Sequence, residues 1–161
     1  IEIDVDNIFG LEKVEEWRRK MEQAAGRQCI PVWHKGRGVD YWKRMCREYP
    51  YVAIGGLVFH VKKQEYELIR RLVHYAAVRG VKVHGLGFTK TKSLSDYEFY
   101  SVDSASWTIG ATRGQQIHFF NKDHIETREL DKQGKKVDLS KLTSYNMREW
   151  VKFQKYMDGV K

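Results

Sequence analysis

The sequence is poor in the features that mark several large classes of protein. It holds two cysteines, Cys29 and Cys46, too few for a disulfide scaffold and not at metal-ligand spacing. Its histidines, His34, His60, His74, His84, His118 and His124, are scattered, and none pairs with another histidine or a cysteine as a zinc site requires. No hydrophobic run approaches membrane-spanning length, so no membrane partner is expected. A G-x-G-x-x-G after a first strand and a Walker A lysine loop are both missing, which argues against nucleotide cofactors of those types. No secretory leader precedes Ile1, so a reducing, cytoplasmic setting is the expectation. Ile1 is not a start methionine and residues 1–6 already alternate as a strand does, from which an upstream segment is expected.

What is present is one domain's worth of chain with a basic, aromatic surface. The 161 residues are 42% hydrophobic and 13% aromatic, with a formal net charge of +8. That balance favours a polyanionic partner, because cations suit phosphates and exposed rings suit bases.

The chain reads as strands alternating with helices. Strand starts fall near residues 1, 29, 51, 81 and 99, with helical stretches following the first three strands and a short polar segment before the last. In the first helix Val14, Trp17, Met21 and Ala25 form the apolar stripe, with Arg18, Arg19 and Lys20 toward solvent and Gly26 closing the turn. Trp42, Met45 and Tyr49 with Val39, and then Ile69, Leu72, Val73, Ala76 and Ala77, give the inward faces of the next two. Such alternation implies about five sequential parallel strands, since each return must cross the sheet face. That is too few to close a TIM-type barrel, so the expected fold is a partial (β/α) barrel over 1–114. Residues 115–161 are expected as a hairpin and a helix packed on it. Open edges and an apolar inner face would then call for a cover, an upstream segment or a second copy of the chain.

The strand ends carry the candidate chemistry. Residues 99–107, FYSVDSASW, deliver Asp103 to the end of the last strand, where parallel folds place catalytic groups. Equally, Asp103 caps a turn and its neighbouring serines satisfy local backbone groups. Asp4 and Asp6 share one face of the first segment and Ile1, Ile3 and Val5 the other, as either a half-exposed edge strand or carboxylates at a barrel lumen. His34, Lys35 and Arg37 sit in a loop with Gly36 and Gly38 that can approach an anion. Gly55 and Gly56 make a tight turn or bare their N–H groups to a ligand edge, and His84, followed by Gly85 and Gly87, packs or lies against a planar ligand.

Read together, Gly55-Gly56-Leu57, His84-Gly85-Leu86-Gly87 and the SVDSASW run resemble, in order and rough spacing, the tRNA-guanine transglycosylases and their DNA-modifying phage and bacterial relatives. The resemblance covers about the first 115 residues, the second half of that barrel. It implies that Gly55, Gly56 and Leu57 hold the base edge, that His84 with Gly85 lies against the base, and that Asp103 attacks the sugar. Asp4 or Asp6 would read the base's amino groups, and His34 or Lys35 falls near a base-contacting position. Lys35, Arg37 and Arg113 would grip phosphates. No ATP or metal is required by such chemistry; the partners implied are a nucleic acid and a free deazapurine base. The family's proline-threonine-arginine run is replaced by a later Ala-Thr-Arg-Gly ending at Gly114, and its cysteine-rich zinc site is absent, so the DNA-directed branch fits better than the tRNA enzymes. Two other readings stand beside it: a non-catalytic nucleic-acid-binding remnant, and a metal-dependent partial-barrel hydrolase using Asp4, Asp6 and Asp103.

Overall fold

The computed structural model describes residues 1–3, 5–56, 63–88, 90–114, 116–130 and 137–160, with the side chains of 63, 64, 113 and 114 outside that description. The fold is mixed α/β, and the chain divides into two compact units.

The first unit holds residues 1–88 and 98–102. It opens with a short helix, α1 (Asp6–Phe9), and continues with α2 (Leu11–Ala25), closed by Gly26 in the left-handed conformation as the sequence leads one to expect. Strand β1 (Val32–Trp33) follows, then a single 3-10 turn at Lys35–Arg37 and helix α3 (Gly38–Glu48). The unit is completed by β2 (Tyr51–Ile54), α4 (Lys63–Ala77), β3 (Lys82–Gly85) and β4 (Ser101–Val102). The four strands are parallel and lie in the order of the sequence.

Trp33, Val52, Ile54 and Val83 share one parity of the pleat and are all buried. Helices α3 and α4 supply Trp42, Met45, Leu72, Val73 and Ala76 to the same core. Trp42 fixes the two helices to each other by donating its indole N–H to the Leu72 carbonyl (3.1 Å), and its ring meets Trp33 edge-on.

The expected strand at the amino end does not form among the described residues. Glu2 donates its N–H to the Ile30 carbonyl (3.0 Å), and the chain then turns into α1. The expected facing is also inverted: Ile1 and Ile3 are exposed, whereas Glu2 is buried. Arg18, expected toward solvent, is buried with it. The cause is a network of ion pairs spanning 35 residues of sequence, which no local period records.

The second unit holds residues 89–97 and 103–161. It comprises α5 (Ser106–Gly114), an antiparallel hairpin of β5 (Gln116–Asn121) and β6 (His124–Glu129), and α6 (Leu139–Val160). Asp138 caps α6 by accepting the Ser140 and Lys141 N–H groups (both 3.1 Å). Hairpin and helix match expectation, but the division of the chain differs from a break at Gly114. Helix α5 belongs with the hairpin, because Gly110 lets it approach β5 so closely that a methyl there would fall 2.6 Å from His118 Nε2. Residues 89–97 join the same unit through Thr91, whose hydroxyl accepts the Ile125 N–H (3.1 Å). No helix among the described residues is long and apolar enough to cross a membrane.

Candidate functional site

The parallel register aligns the carboxyl ends of the strands. Trp33 pairs with Ile54, Ile54 with Gly85, and Gly85 with Val102, so these four residues form one lateral row. The chain leaves that row at His34, Gly55, Leu86 and Asp103, the edge where parallel sheets carry their ligands.

His34 and the glycine pair interlock. A methyl on Gly55 would lie 2.4 Å from His34 Cε1 and 2.9 Å from Val32 Cγ1, so only glycine admits the imidazole here. Gly56 has φ +75°, and a methyl on it would lie 3.4 Å from His34 Nδ1. The Gly55 N–H, a candidate for a bare donor to a ligand edge, instead donates to the Trp33 carbonyl (2.8 Å). Leu57 lies outside the described residues.

His84 pairs in register with Ser101, so their side chains stand on the same side of the sheet. Its Nδ1 lies 2.7 Å from Ser101 Oγ, which lies 2.7 Å from the Tyr51 hydroxyl. All three residues are half-buried. Beside them Tyr100 meets Tyr51 edge-on, and Lys82 Nζ sits 4.3 Å from the Tyr100 ring centre. Gly85 serves packing: a methyl there would lie 3.1 Å from the Phe99 ring and 3.2 Å from Phe88 Cβ.

Asp103 is peptide-bonded to the last residue of β4, and its side chain belongs to an exposed residue. The neighbouring turn is capped by Ser104, whose Oγ accepts the Ser106 N–H (3.1 Å), as a serine before a helix does.

The cationic candidates divide. Lys35 is exposed and pairs with Glu65 of α4 (2.6 Å). Arg37 is not a surface group: its side chain is 2% exposed, and it donates to Glu2 (2.6 Å), to Asp6 (2.8 Å) and to the Val32 carbonyl. Glu2, whose side chain is fully buried, also accepts from Arg18 (2.7 Å) and from the Val32 N–H (3.0 Å). Burial works to raise the Asp6 carboxyl, but the hydrogen bond and charge of Arg37, aided by His34 and the Asn7 N–H, hold it below the usual range. For Arg37 burial works downward, and its bonds to Asp6 and Glu2 carry it above the ordinary value. Asp6 and Arg37 are therefore engaged with each other. Asp4 and the Arg113 side chain lie outside the described residues.

Sequence reasoning passed over Glu2, Arg18, Ser101 and Tyr51. The first two look like one strand residue and one solvent-facing helix residue, and only the fold brings them together. Ser101 and His84 were legible as neighbours, since adjacent parallel strands ending in -V-H-G- and -Y-S-V-D- align once their ends are matched. Among the described residues, no group of three His, Cys, Asp or Glu side chains is gathered closely enough to hold a metal ion. Comparison of the chain with protein-family models, with curated proteins and with solved structures yields no match.

Proposed function

We propose that this chain belongs to a nucleic-acid base-exchange enzyme of the guanine or 7-deazaguanine transglycosylase kind, acting on DNA, with Asp103 as nucleophile. The observation that carries the reading is the lateral row at Trp33, Ile54, Gly85 and Val102, from which His34, the glycine pair and Asp103 depart at one edge of a parallel sheet. In this reading the sheet is part of a (β/α) barrel.

The chemistry asked of Asp103 is substitution at the sugar C1′. A carboxylate oxygen bonds to C1′ as the C1′–N9 bond breaks, and the base departs with the bonding electrons. The departed base anion takes a proton from water, an incoming free deazapurine loses its proton at the corresponding nitrogen to the hydroxide so formed, and that nitrogen bonds to C1′ as the carboxylate is displaced and restored. The transition state is oxocarbenium-like, so an adjacent negative charge stabilises it before the bond forms. The target base must leave the stack, and glycine backbone with flat rings around it suits a base turned out of the duplex. Asp6, held by Arg37, serves this reading as an anchor for the His34 loop rather than as a free carboxylate.

The full chain with a guanine-containing DNA duplex and labelled guanine tests the proposal. Incorporation of label and a protein–DNA adduct stable to denaturation are expected, and Asp103→Asn removes both while leaving phosphate-driven binding almost unchanged. Exchange that survives Asp103→Asn overturns the assignment of the nucleophile. Salt-dependent DNA binding with no exchange by the unaltered chain selects the non-catalytic nucleic-acid-binding reading instead.

A further inference from the structure

The outward side of α6 carries four cations in one line, and we infer that this line is a docking surface for the phosphodiester backbone of a nucleic acid duplex. Its contribution is independent of sequence, since phosphate contacts position a protein on a duplex without reading bases. The inference rests on the base-exchange reading for the class of partner alone and requires none of its chemistry.

Lys141, Arg148, Lys152 and Lys155 are exposed and stand at i, i+7, i+11 and i+14 of the helix. At about 3.6 residues per turn and about 1.5 Å of rise, they fall within a sector of about 60° and extend over about 21 Å. One strand of a duplex carries about six phosphates over that length. The opposite side of the helix is taken up by packing, with Leu142, Asn146, Glu149 and Phe153 buried. Glu149 is the one acidic residue between Asp138 and Asp158, and it is turned inward, where it accepts the Phe120 N–H (2.9 Å). Asp158 lies about a quarter turn away from the line. The line is therefore of one sign.

Charge along the line is only partly matched within the chain. Lys141 pairs with Asp138 (3.7 Å) and Lys152 with Glu149, and both lysines keep most of their surface in water. Such exposed pairs hold weakly and exchange for a phosphate at little cost. Arg148, which meets Glu149 only through its electric field, and Lys155 form no ion pair among the described residues. An anionic membrane would also attract cations, but a helix lies in a membrane interface by burying a broad apolar face, and the inner face of α6 already packs on β5 and α5. What α6 leaves exposed is Met147 and Val151 beside the line and Leu139 and Val160 at its ends, scattered rather than gathered into a face. A duplex, which asks for charge at regular spacing and not for apolar burial, is the partner that fits.

Anisotropy titrations of a labelled DNA duplex with the full chain across a salt series test the surface. Arg148→Gln combined with Lys155→Gln is expected to reduce the slope of log K against log salt by about 1.8, the share of two phosphates, and to do so alike for duplexes of unrelated sequence. Lys13→Gln with Lys20→Gln removes the same charge from the exposed side of α2, where both lysines pair with Glu16, and is expected to leave the slope unchanged. Arg148→Lys with Lys155→Arg keeps the charge and is expected to keep the slope. If the α6 double variant fails to fold, Lys155→Gln alone carries the comparison, with an expected loss of about 0.9. A slope that the α6 variants leave intact, or that the α2 variants reduce equally, overturns the inference, as does absence of duplex binding at low salt. Binding to phosphatidylserine vesicles that the α6 substitutions abolish, while duplex binding keeps its slope, overturns it in favour of a membrane. The two readings fail separately: an absent Asp103 adduct leaves the effect of the α6 variants on the slope where it is, and a slope unmoved by those variants leaves the adduct intact.

Discussion

Glu2 accepts hydrogen bonds from Arg18, Arg37 and the Val32 N–H, and water reaches neither its side chain nor, to any extent that matters, those of the two arginines. Such a carboxylate is costly to desolvate and more costly to remove, because its partners then stay buried with uncompensated charge. Glu2→Gln is expected to lower the stability of the first unit by about 3–5 kcal/mol. Urea unfolding followed by tryptophan fluorescence measures this, and an unchanged midpoint would show that the cluster relaxes into solvent. Asp6 adds a smaller dependence on pH of defined sign. Its folded-state pKa is depressed, so its contribution is present above the unfolded value near 3.8 and is lost as pH falls through the folded one. None of this was legible beforehand. Alternation in residues 1–6 specifies two faces but not which face is inward, and here the buried ion cluster reverses the choice that hydrophobicity alone dictates.

At the scale of elements, α6 does for β5 what a third strand would do. The outer edge of β5 carries the N–H groups of His118 and Phe120, and these donate to Asn146 Oδ1 (2.8 Å) and Glu149 Oε2 (2.9 Å) of the helix. Asn146 also donates to the Gln116 carbonyl (2.9 Å), so the strand edge is closed by side chains. Within this contact Trp150 donates its indole N–H to His118 Nδ1 (2.9 Å), which requires His118 to be neutral. Burial lowers the His118 pKa, in the same sense. A histidine depressed on folding stabilises fully above its unfolded pKa of about 6.5, and that stability is lost as pH falls from there through the folded value. Unfolding free energy is therefore expected to fall as pH drops below about 6.5, by up to about 1.4 kcal/mol per pH unit from this one group. His118→Gln keeps an acceptor for Trp150 and is expected to flatten that slope even where it lowers stability overall. An unaltered slope would place the titration elsewhere. The helical period of residues 145–157 announced a helix, but its apparent stripe of Met147, Trp150, Val151, Gln154 and Met157 is not the buried one, since Met147 and Val151 are exposed while Leu142, Asn146, Glu149 and Phe153 are buried, and nothing in the sequence marks Asn146 and Glu149 as strand partners rather than surface polar residues.

For the whole molecule, the parallel sheet was readable because β2, β3 and β4 end in glycine or small polar residues after apolar runs. Tyr51–Ile54 was bounded on both sides by Pro50 and Gly55. The residues expected to grip phosphates were harder to read, because sequence reports that a side chain is cationic but not whether its charge is already matched. The net charge of +8 predicts binding to DNA that weakens as salt rises, with log K falling by about 0.9 per tenfold salt for each phosphate neutralised. Lys35 and Arg37, two residues apart, are expected to behave oppositely in that measurement. Lys35 is exposed and its Glu65 pair can exchange for a phosphate, so Lys35→Gln should reduce the slope by about one unit while leaving the fold unchanged. Arg37 is committed to Glu2 and Asp6, so Arg37→Lys should lower thermal stability, since an ammonium cannot reproduce the guanidinium's several directed bonds, and should leave the salt slope as it was. Anisotropy titrations of a labelled duplex across a salt series, run beside thermal unfolding, separate the two. A slope that changes with Arg37 and not with Lys35 would mean that the buried cluster opens to meet the nucleic acid.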